Sequence, residues 1–268
     1  YAHRILRLDP VTPFNEDPGA LERGNIYHAI VEQFVRDGTD PRAPNAFAEI
    51  SAISHAVFDA AHLPAHIDAV WRPRFLDTAR AFLADEAERY PSIQSTHVEI
   101  RARLDISEDM AITGRADRID VRKDGKADII DYKTGLTPSL KEARALLDPQ
   151  LSLEAAALKG GGFAGLKALE TDNLLYIRLR PGRNFKSEAV NNDKLARTKP
   201  DDVKTADMLA QEALSQLIKL TRALRTGDAG FKSRVAPFRD RDYGGDYDHL
   251  ARVSEWSSAE DDGEAEDE

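Results

Sequence analysis

The 268-residue chain has no cysteine. That excludes disulfides and thiolate metal sites, and it suits a reducing, cytoplasmic compartment. Any metal would have to be held by oxygen and imidazole, a donor set that favours hard ions such as Mg2+, with Mn2+ as a substitute. Long apolar runs are also missing. None approaches the roughly 18–20 residues that a membrane span requires. The chain lacks an excess of positive charge too, its net charge being -10 at pH 7. This argues only weakly against a nucleic-acid partner, because seven of the negative charges lie between Glu260 and Glu268 and the remainder carries -3. Basic residues can still gather on one face. The first residues are Tyr1-Ala2-His3 rather than Met, as expected of a fragment of a longer protein.

Apolar spacing near the helical period predicts helices over Leu21–Val35, Ala46–Ala61 and about Ile67–Tyr90, the last kinked or started late by Pro73. The period then changes. Val98, Ile100, Ala102 and Leu104 alternate with polar neighbours, the mark of a half-buried strand. Short strands are expected at Met110–Gly114 and Arg118–Arg122, then a turn at Asp124-Gly125 and a compact strand at Ala127–Tyr132. A helix over Gln150–Lys159 should stop at Gly160-Gly161-Gly162. A buried strand at Leu174–Leu179 pairs with Ser187–Val190, and Val203–Arg225 reads as a long amphipathic helix.

The pattern predicts an α/β fold with a central mixed sheet flanked by helices. One domain is expected over residues 1–256: a mainly helical part at 20–92, a sheet core at 93–190, the long helix within 200–226 and an irregular segment at 227–256. An acidic, disordered tail at 257–268 would follow.

The chemistry concentrates in two segments, Gly114-Arg115-Ala116-Asp117-Arg118-Ile119-Asp120 and Asp131-Tyr132-Lys133-Thr134-Gly135. Asp131 and Lys133 are two apart at a strand end, so their side chains share one face. Asp117 can be brought beside them across a hairpin-like connection. Two adjacent carboxylates repel, and a divalent cation relieves that repulsion. The same cation would polarise a phosphate and lower the pKa of bound water, and Lys133 could orient that water or stabilise the charge that develops. An Asp-x-Lys triplet alone is usually a solvated strand end, and Asp117 could simply pair with Arg115 or Arg118.

The combination is more specific. The two segments resemble the paired motifs of the RecB-type branch of the PD-(D/E)XK nuclease superfamily. Gly24-Asn25-Ile26-Tyr27-His28 matches that branch's upstream Gly-x-x-x-His, and Gln150-Leu151-Ser152-Leu153-Glu154 its downstream Gln-led helix. Within the branch, the chain is most similar to the C-terminal nuclease domains of AddB subunits of bacterial AddAB helicase–nucleases. Many such domains hold an iron–sulfur cluster on four cysteines, which this chain lacks; packing through Phe231–Trp256 would have to replace it.

The resemblance implies a restriction-endonuclease-like core and a Mg2+-dependent deoxyribonuclease. It implies that His28, Asp117, Asp131 and the Tyr132 carbonyl bind the metal, that Lys133 is the catalytic lysine, and that Gln150 supports the site or touches DNA backbone. It implies an exonuclease acting on a single strand of DNA delivered by a helicase, with an AddA-like partner, in double-strand-break repair. One departure stands out: Glu154 occupies a place where the branch commonly has Tyr. Arg115, Arg118, Arg178 and Arg180 flank the strands as candidate DNA contacts. The alternatives are a non-catalytic module of the same fold that binds DNA and tethers a helicase, and a two-carboxylate glycosidase. The latter gives no role to Lys133 or His28.

Overall fold

The structure is a computed structural model that describes residues 3, 5–8, 17–108, 110–135, 138–195, 199–227, 247, 250 and 252. The chain divides into two compact units: residues 17–219, and the two ends together, residues 1–16 with 220–268. In the second unit the Tyr247 hydroxyl donates to the Leu8 carbonyl. The irregular segment and acidic tail expected after Gly227 lie almost wholly outside the described residues.

The first unit begins with three helices: α1 (Ala20–Arg36), α2 (Ala46–Ala60) and α3 (Ala65–Arg89). Each buries a stripe that recurs every three to four residues, such as Ile26, Tyr27, Ile30, Val31 and Phe34 on α1. Glu22 closes the first turn of α1 by accepting the Gly19 N–H at 2.7 Å. α3 runs from Ala65 through Pro73, so the late start expected there does not occur. Pro73 lies on the exposed side, and the buried face carrying Trp71, Phe75, Ala79 and Phe82 continues past it. Burial of that face offsets the one backbone hydrogen bond a proline forfeits.

Five strands follow: β1 (Ile93–Ser107), β2 (Met110–Arg122), β3 (Ala127–Lys133), β4 (Thr171–Arg178) and β5 (Lys186–Ala189). They form one mixed sheet in the order β1-β2-β3-β4-β5. The two short strands expected across Met110–Arg122 are one strand, because β1 pairs along its whole length, with Ala102 opposite Gly114 and Ile100 opposite Ala116. Gly125, at φ +85°, turns β2 into β3. The link between β3 and its parallel neighbour β4 contains α4 (Leu140–Arg144) and α5 (Gln150–Lys159). α6 (Ala206–Thr226) is the last helix among the described residues.

The sheet separates two cores. Ile130, Tyr132, Leu175 and Ile177 pack against α1, α2 and α3. Ile119, Ile129, Leu174 and Tyr176 pack with α5 and the first turns of α6. β3 is buried on both faces from Ala127 to Tyr132, as a central strand covered by helices should be. Among the described residues no helix is long and apolar enough to cross a membrane.

The glycine run after α5 does more than end the helix. Gly161 takes φ +70°, and Gly162 lies so close to β1 that a Cβ on it would sit 2.3 Å from the Arg103 carbonyl oxygen. Arg103 N–H donates to the Gly162 carbonyl at 2.8 Å, and Ala164 N–H to the Arg101 carbonyl at 3.1 Å. Gly162→Ala should therefore force backbone apart and cost about 1–3 kcal/mol in urea unfolding. Gly114→Ala, where a Cβ meets nothing within 4 Å, should change stability by less than about 0.5 kcal/mol. Equal effects at both sites would contradict this packing.

Candidate active site

The site forms where β2 and β3 part. Their ladder runs from Val121 opposite Ala127 to Arg118 opposite Ile130 and stops there. Two residues further along β3, the Tyr132 N–H donates to the Asp117 carboxylate (Oδ2) at 2.9 Å. Asp117 is thereby fixed beside the end of β3. From the other side, His28 of α1 places Nδ1 3.6 Å from the same Asp117 oxygen. Its ring meets that of Tyr132 edge-on, with centroids 6.0 Å apart. Gly24, one turn before His28, allows this approach: a Cβ there would lie 3.1 Å from the Thr134 hydroxyl. The Gly-x-x-x-His spacing thus has a packing reason.

Asp131 faces α5. Its Oδ1 accepts from Lys133 Nζ at 2.9 Å and from Gln150 Nε2 at 2.7 Å. Its Oδ2 lies 2.7 Å from the same ammonium, out of hydrogen-bond alignment, and is buried without another partner among the described residues. Lys133 also donates to Gln150 Oε1 at 3.4 Å and sits 5.7 Å from the centre of the Tyr176 ring. Three contacts thus hold its ammonium at the strand end. The loop beyond is tied to β4, since Leu179 N–H donates to the Lys133 carbonyl at 2.9 Å and Arg180 to the Gly135 carbonyl at 2.6 Å.

Burial pushes the Asp131 carboxyl up to about 6, with Asp117 adding to the rise and Lys133 opposing it. Glu154, a turn after Gln150, is pushed up to about 8, first by burial and then by Asp131 and Asp117, against a hydrogen bond from Gln150. Buried acids that resist ionisation, each with an oxygen lacking a hydrogen-bond partner among the described residues, are what a cation would relieve. The donor set of imidazole, two carboxylates and a carbonyl suits such an ion. Among the described residues, no three of these side chains yet converge as a closed cage, because Asp131 is engaged by Lys133 and Gln150.

The residues expected from the sequence to act together, His28, Asp117, Asp131, Lys133 and Gln150, are therefore linked into one cluster, and the Tyr132 backbone lies between them. The candidate DNA contacts fare differently. Arg118 needs correction. It is 2% exposed, and its guanidinium is spent on Glu86 at 2.9 Å, the Tyr132 hydroxyl at 3.0 Å and Asp120 at 2.7 Å. Arg118 and Asp120 of β2 face the α3 side, where they meet Glu86 and Arg89, which the local sequence does not reveal. Arg115 is exposed and pairs with Glu99 at 2.6 Å, Arg178 reaches Glu188 at 3.7 Å, and Arg180 holds the Gly135 loop.

Sequence reasoning also missed the scaffold below the site. Asp120 accepts from Arg118, from Arg89 at 2.6 Å and from Thr96 at 2.8 Å. Burial alone would raise its carboxyl, but Arg118 and Arg89 outweigh burial and hold it low. Through the Tyr132 hydroxyl this network anchors the residue whose N–H holds Asp117.

Comparison with known proteins agrees with the geometry. A model of the PD-(D/E)XK nuclease superfamily matches residues 1–239. An uncharacterised protein of Rickettsia conorii is 27% identical over 239 residues, 82% of this chain and 28% of that protein. Uncharacterised proteins of Rickettsia bellii and Rickettsia typhi are each 28% identical, over 61% and 67% of this chain and 20% and 22% of their own lengths. The chain thus spans about a fifth to a little over a quarter of the relatives it matches.

Two outcomes are expected. Arg118→Met leaves Glu86 and Asp120 short of a buried partner and should lower unfolding stability by about 3–5 kcal/mol; a variant as stable as the wild type would contradict the buried network. In metal-free protein, Glu154 keeps its proton when folded, while the unfolded chain loses it above pH 4.5. The charged groups acting on it are Asp131, Asp117 and Lys133. Because its pKa is raised on folding, its contribution is full below pH 4.5 and falls away as pH rises to about 8. Glu154→Gln should therefore be more stable than wild type at pH 8, by on the order of 2 kcal/mol, with the gap closing near pH 4. A constant gap in denaturant melts across that range would contradict it.

Proposed function

The chain belongs to the PD-(D/E)XK nuclease superfamily, and we propose that it is a divalent-metal-dependent deoxyribonuclease whose working residues are His28, Asp117, Asp131, Lys133 and Gln150. The observation that carries this reading is the meeting of Asp117 and Asp131 at the end of β3, with Lys133 held between Asp131 and Gln150. His28, Asp117, Asp131 and the Tyr132 carbonyl would hold the ion, Mg2+ or Mn2+. When bound, such an ion supplies Lewis acidity toward the phosphate and lowers the pKa of a water.

The chain's own residues account for the rest. Water oxygen bonds to phosphorus and releases a proton to solvent, the P–O bond to the leaving sugar oxygen breaks, and that oxygen takes up a proton. Lys133 brings a fixed positive charge to the oxygens that gain negative charge as water attacks. Gln150 keeps Lys133 and Asp131 in register, since its amide contacts both. The two-carboxylate glycosidase reading has no use for this lysine.

We further propose that the domain works as an exonuclease within an AddB-like subunit of a helicase–nuclease, taking a single DNA strand passed on by an AddA-like partner during double-strand-break repair. Two things support this. The four motif elements follow the RecB-type order, and the domain makes up only 20–28% of the Rickettsia proteins it resembles, which leaves room for other domains.

Cleavage of end-labelled single-stranded DNA should require Mg2+. It should fall by about 10²–10³-fold or more in Asp117→Ala and in Lys133→Ala, with cooperative unfolding retained. Wild-type-like cleavage by either variant would overturn the assignment. A non-catalytic DNA-binding module would instead show no cleavage, and no difference in Mn2+ binding between the wild type and Asp131→Ala by calorimetry.

A further inference from the structure

Glu154 stands where the RecB-type branch commonly has Tyr, and its surroundings suggest why a carboxyl serves here. The Gln150 amide group donates from Nε2 to Asp131 Oδ1 at 2.7 Å and to Glu154 Oε1 at 3.2 Å. The amide oxygen, on the other side, accepts from Lys133 at 3.4 Å. An amide has two N–H donors and one carbonyl acceptor. With acceptors at both Asp131 and Glu154, only one orientation satisfies the group. Flipped, its oxygen would face the Asp131 carboxylate and its N–H groups would face an ammonium. Remove the Glu154 acceptor and only Asp131 and Lys133 remain to choose between the two orientations.

We propose that Glu154 is a positioning residue that fixes the Gln150 amide, and through it sets Asp131 and Lys133 in the arrangement that accepts a divalent cation. This deepens the nuclease reading and rests on it. The role proposed for Glu154 is indirect: among the described residues its only side-chain hydrogen bond is the one its Oε1 accepts from Gln150 Nε2. Burial favours the neutral carboxyl, so a side-chain amide at this place preserves both shape and acceptor.

The test is a set of Mn2+ titrations by calorimetry on the whole chain, paired with the Mg2+ dependence of DNA cleavage. The variants are Glu154→Leu, Glu154→Gln, Gln150→Ala and Glu154→Leu combined with Gln150→Ala. Glu154→Leu should weaken Mn2+ binding about 10-fold or more and raise the Mg2+ needed for half-maximal cleavage in parallel. Glu154→Gln should restore both to within about threefold of wild type, and Glu154→Leu should add less than about twofold once Gln150 is already Ala. Glu154→Met, unbranched and of similar length, replaces Leu if that variant does not fold. Wild-type Mn2+ affinity in Glu154→Leu would overturn the proposal. So would a Glu154→Gln variant as impaired as Leu, or losses from Gln150→Ala and Glu154→Leu that multiply. If the wild type binds Mn2+ through Asp131 yet cuts no DNA, the nuclease reading falls while the Mn2+ titrations still decide the role of Glu154.

Discussion

The site depends on the point where β2 and β3 stop pairing. Up to Arg118 opposite Ile130 the two strands satisfy each other's backbone. Beyond it, the Tyr132 N–H is buried in the middle of a covered sheet and needs an acceptor. A donor buried without one would cost about 1–3 kcal/mol. Asp117 supplies that acceptor, and in doing so leaves its carboxylate at the same strand end as Asp131 and Lys133. A requirement of the fold and a requirement of the proposed chemistry are met by one hydrogen bond.

This arrangement asks the protein to bury acids that would rather remain in water. Asp131 is all but inaccessible, with Asp117 nearby, and Lys133 foremost, then His28, oppose the resulting rise of its carboxyl, while Gln150 donates to it. The surrounding structure is correspondingly over-determined. Arg118, Glu86, Asp120 and Arg89 form a buried charge network on the opposite face of β2, and it grips the Tyr132 ring from below. Charge networks of this kind add little net stability, but removing one member is strongly destabilising, and so they enforce one geometry. Here the geometry enforced is the position of the backbone that carries the site.

Much of this was legible in the sequence, for identifiable reasons. The helices and the buried strands show through their periodicity, and α5 matches its expected span from Gln150 to Lys159 because Pro149 and the glycine run bracket it. The clustering of the candidate residues was legible because Asp131 and Lys133 share a face by simple strand alternation, and because the four motif elements keep their order. What was not legible depends on contacts between distant segments. β2 is one strand because of β1, whose paired residues lie between 3 (Ser107 opposite Met110) and 29 (Ile93 opposite Arg122) positions away in sequence. Arg118 looks like an exposed DNA contact until its facing residue on α3, Glu86, is known. Pro73 fails to break α3 because tertiary burial on the opposite face outweighs local preference. The place of Glu154, open from sequence alone, becomes clear only beside the Gln150 amide.

The most direct test of the account is anomalous scattering from crystals of this chain soaked in Mn2+. A single strong peak bounded by His28, Asp117, Asp131 and the Tyr132 carbonyl, lost in Asp131→Ala, is the expected result. A peak elsewhere, or a peak that survives Asp131→Ala unchanged, would contradict the claim that the parting of β2 and β3 builds a metal-dependent nuclease site.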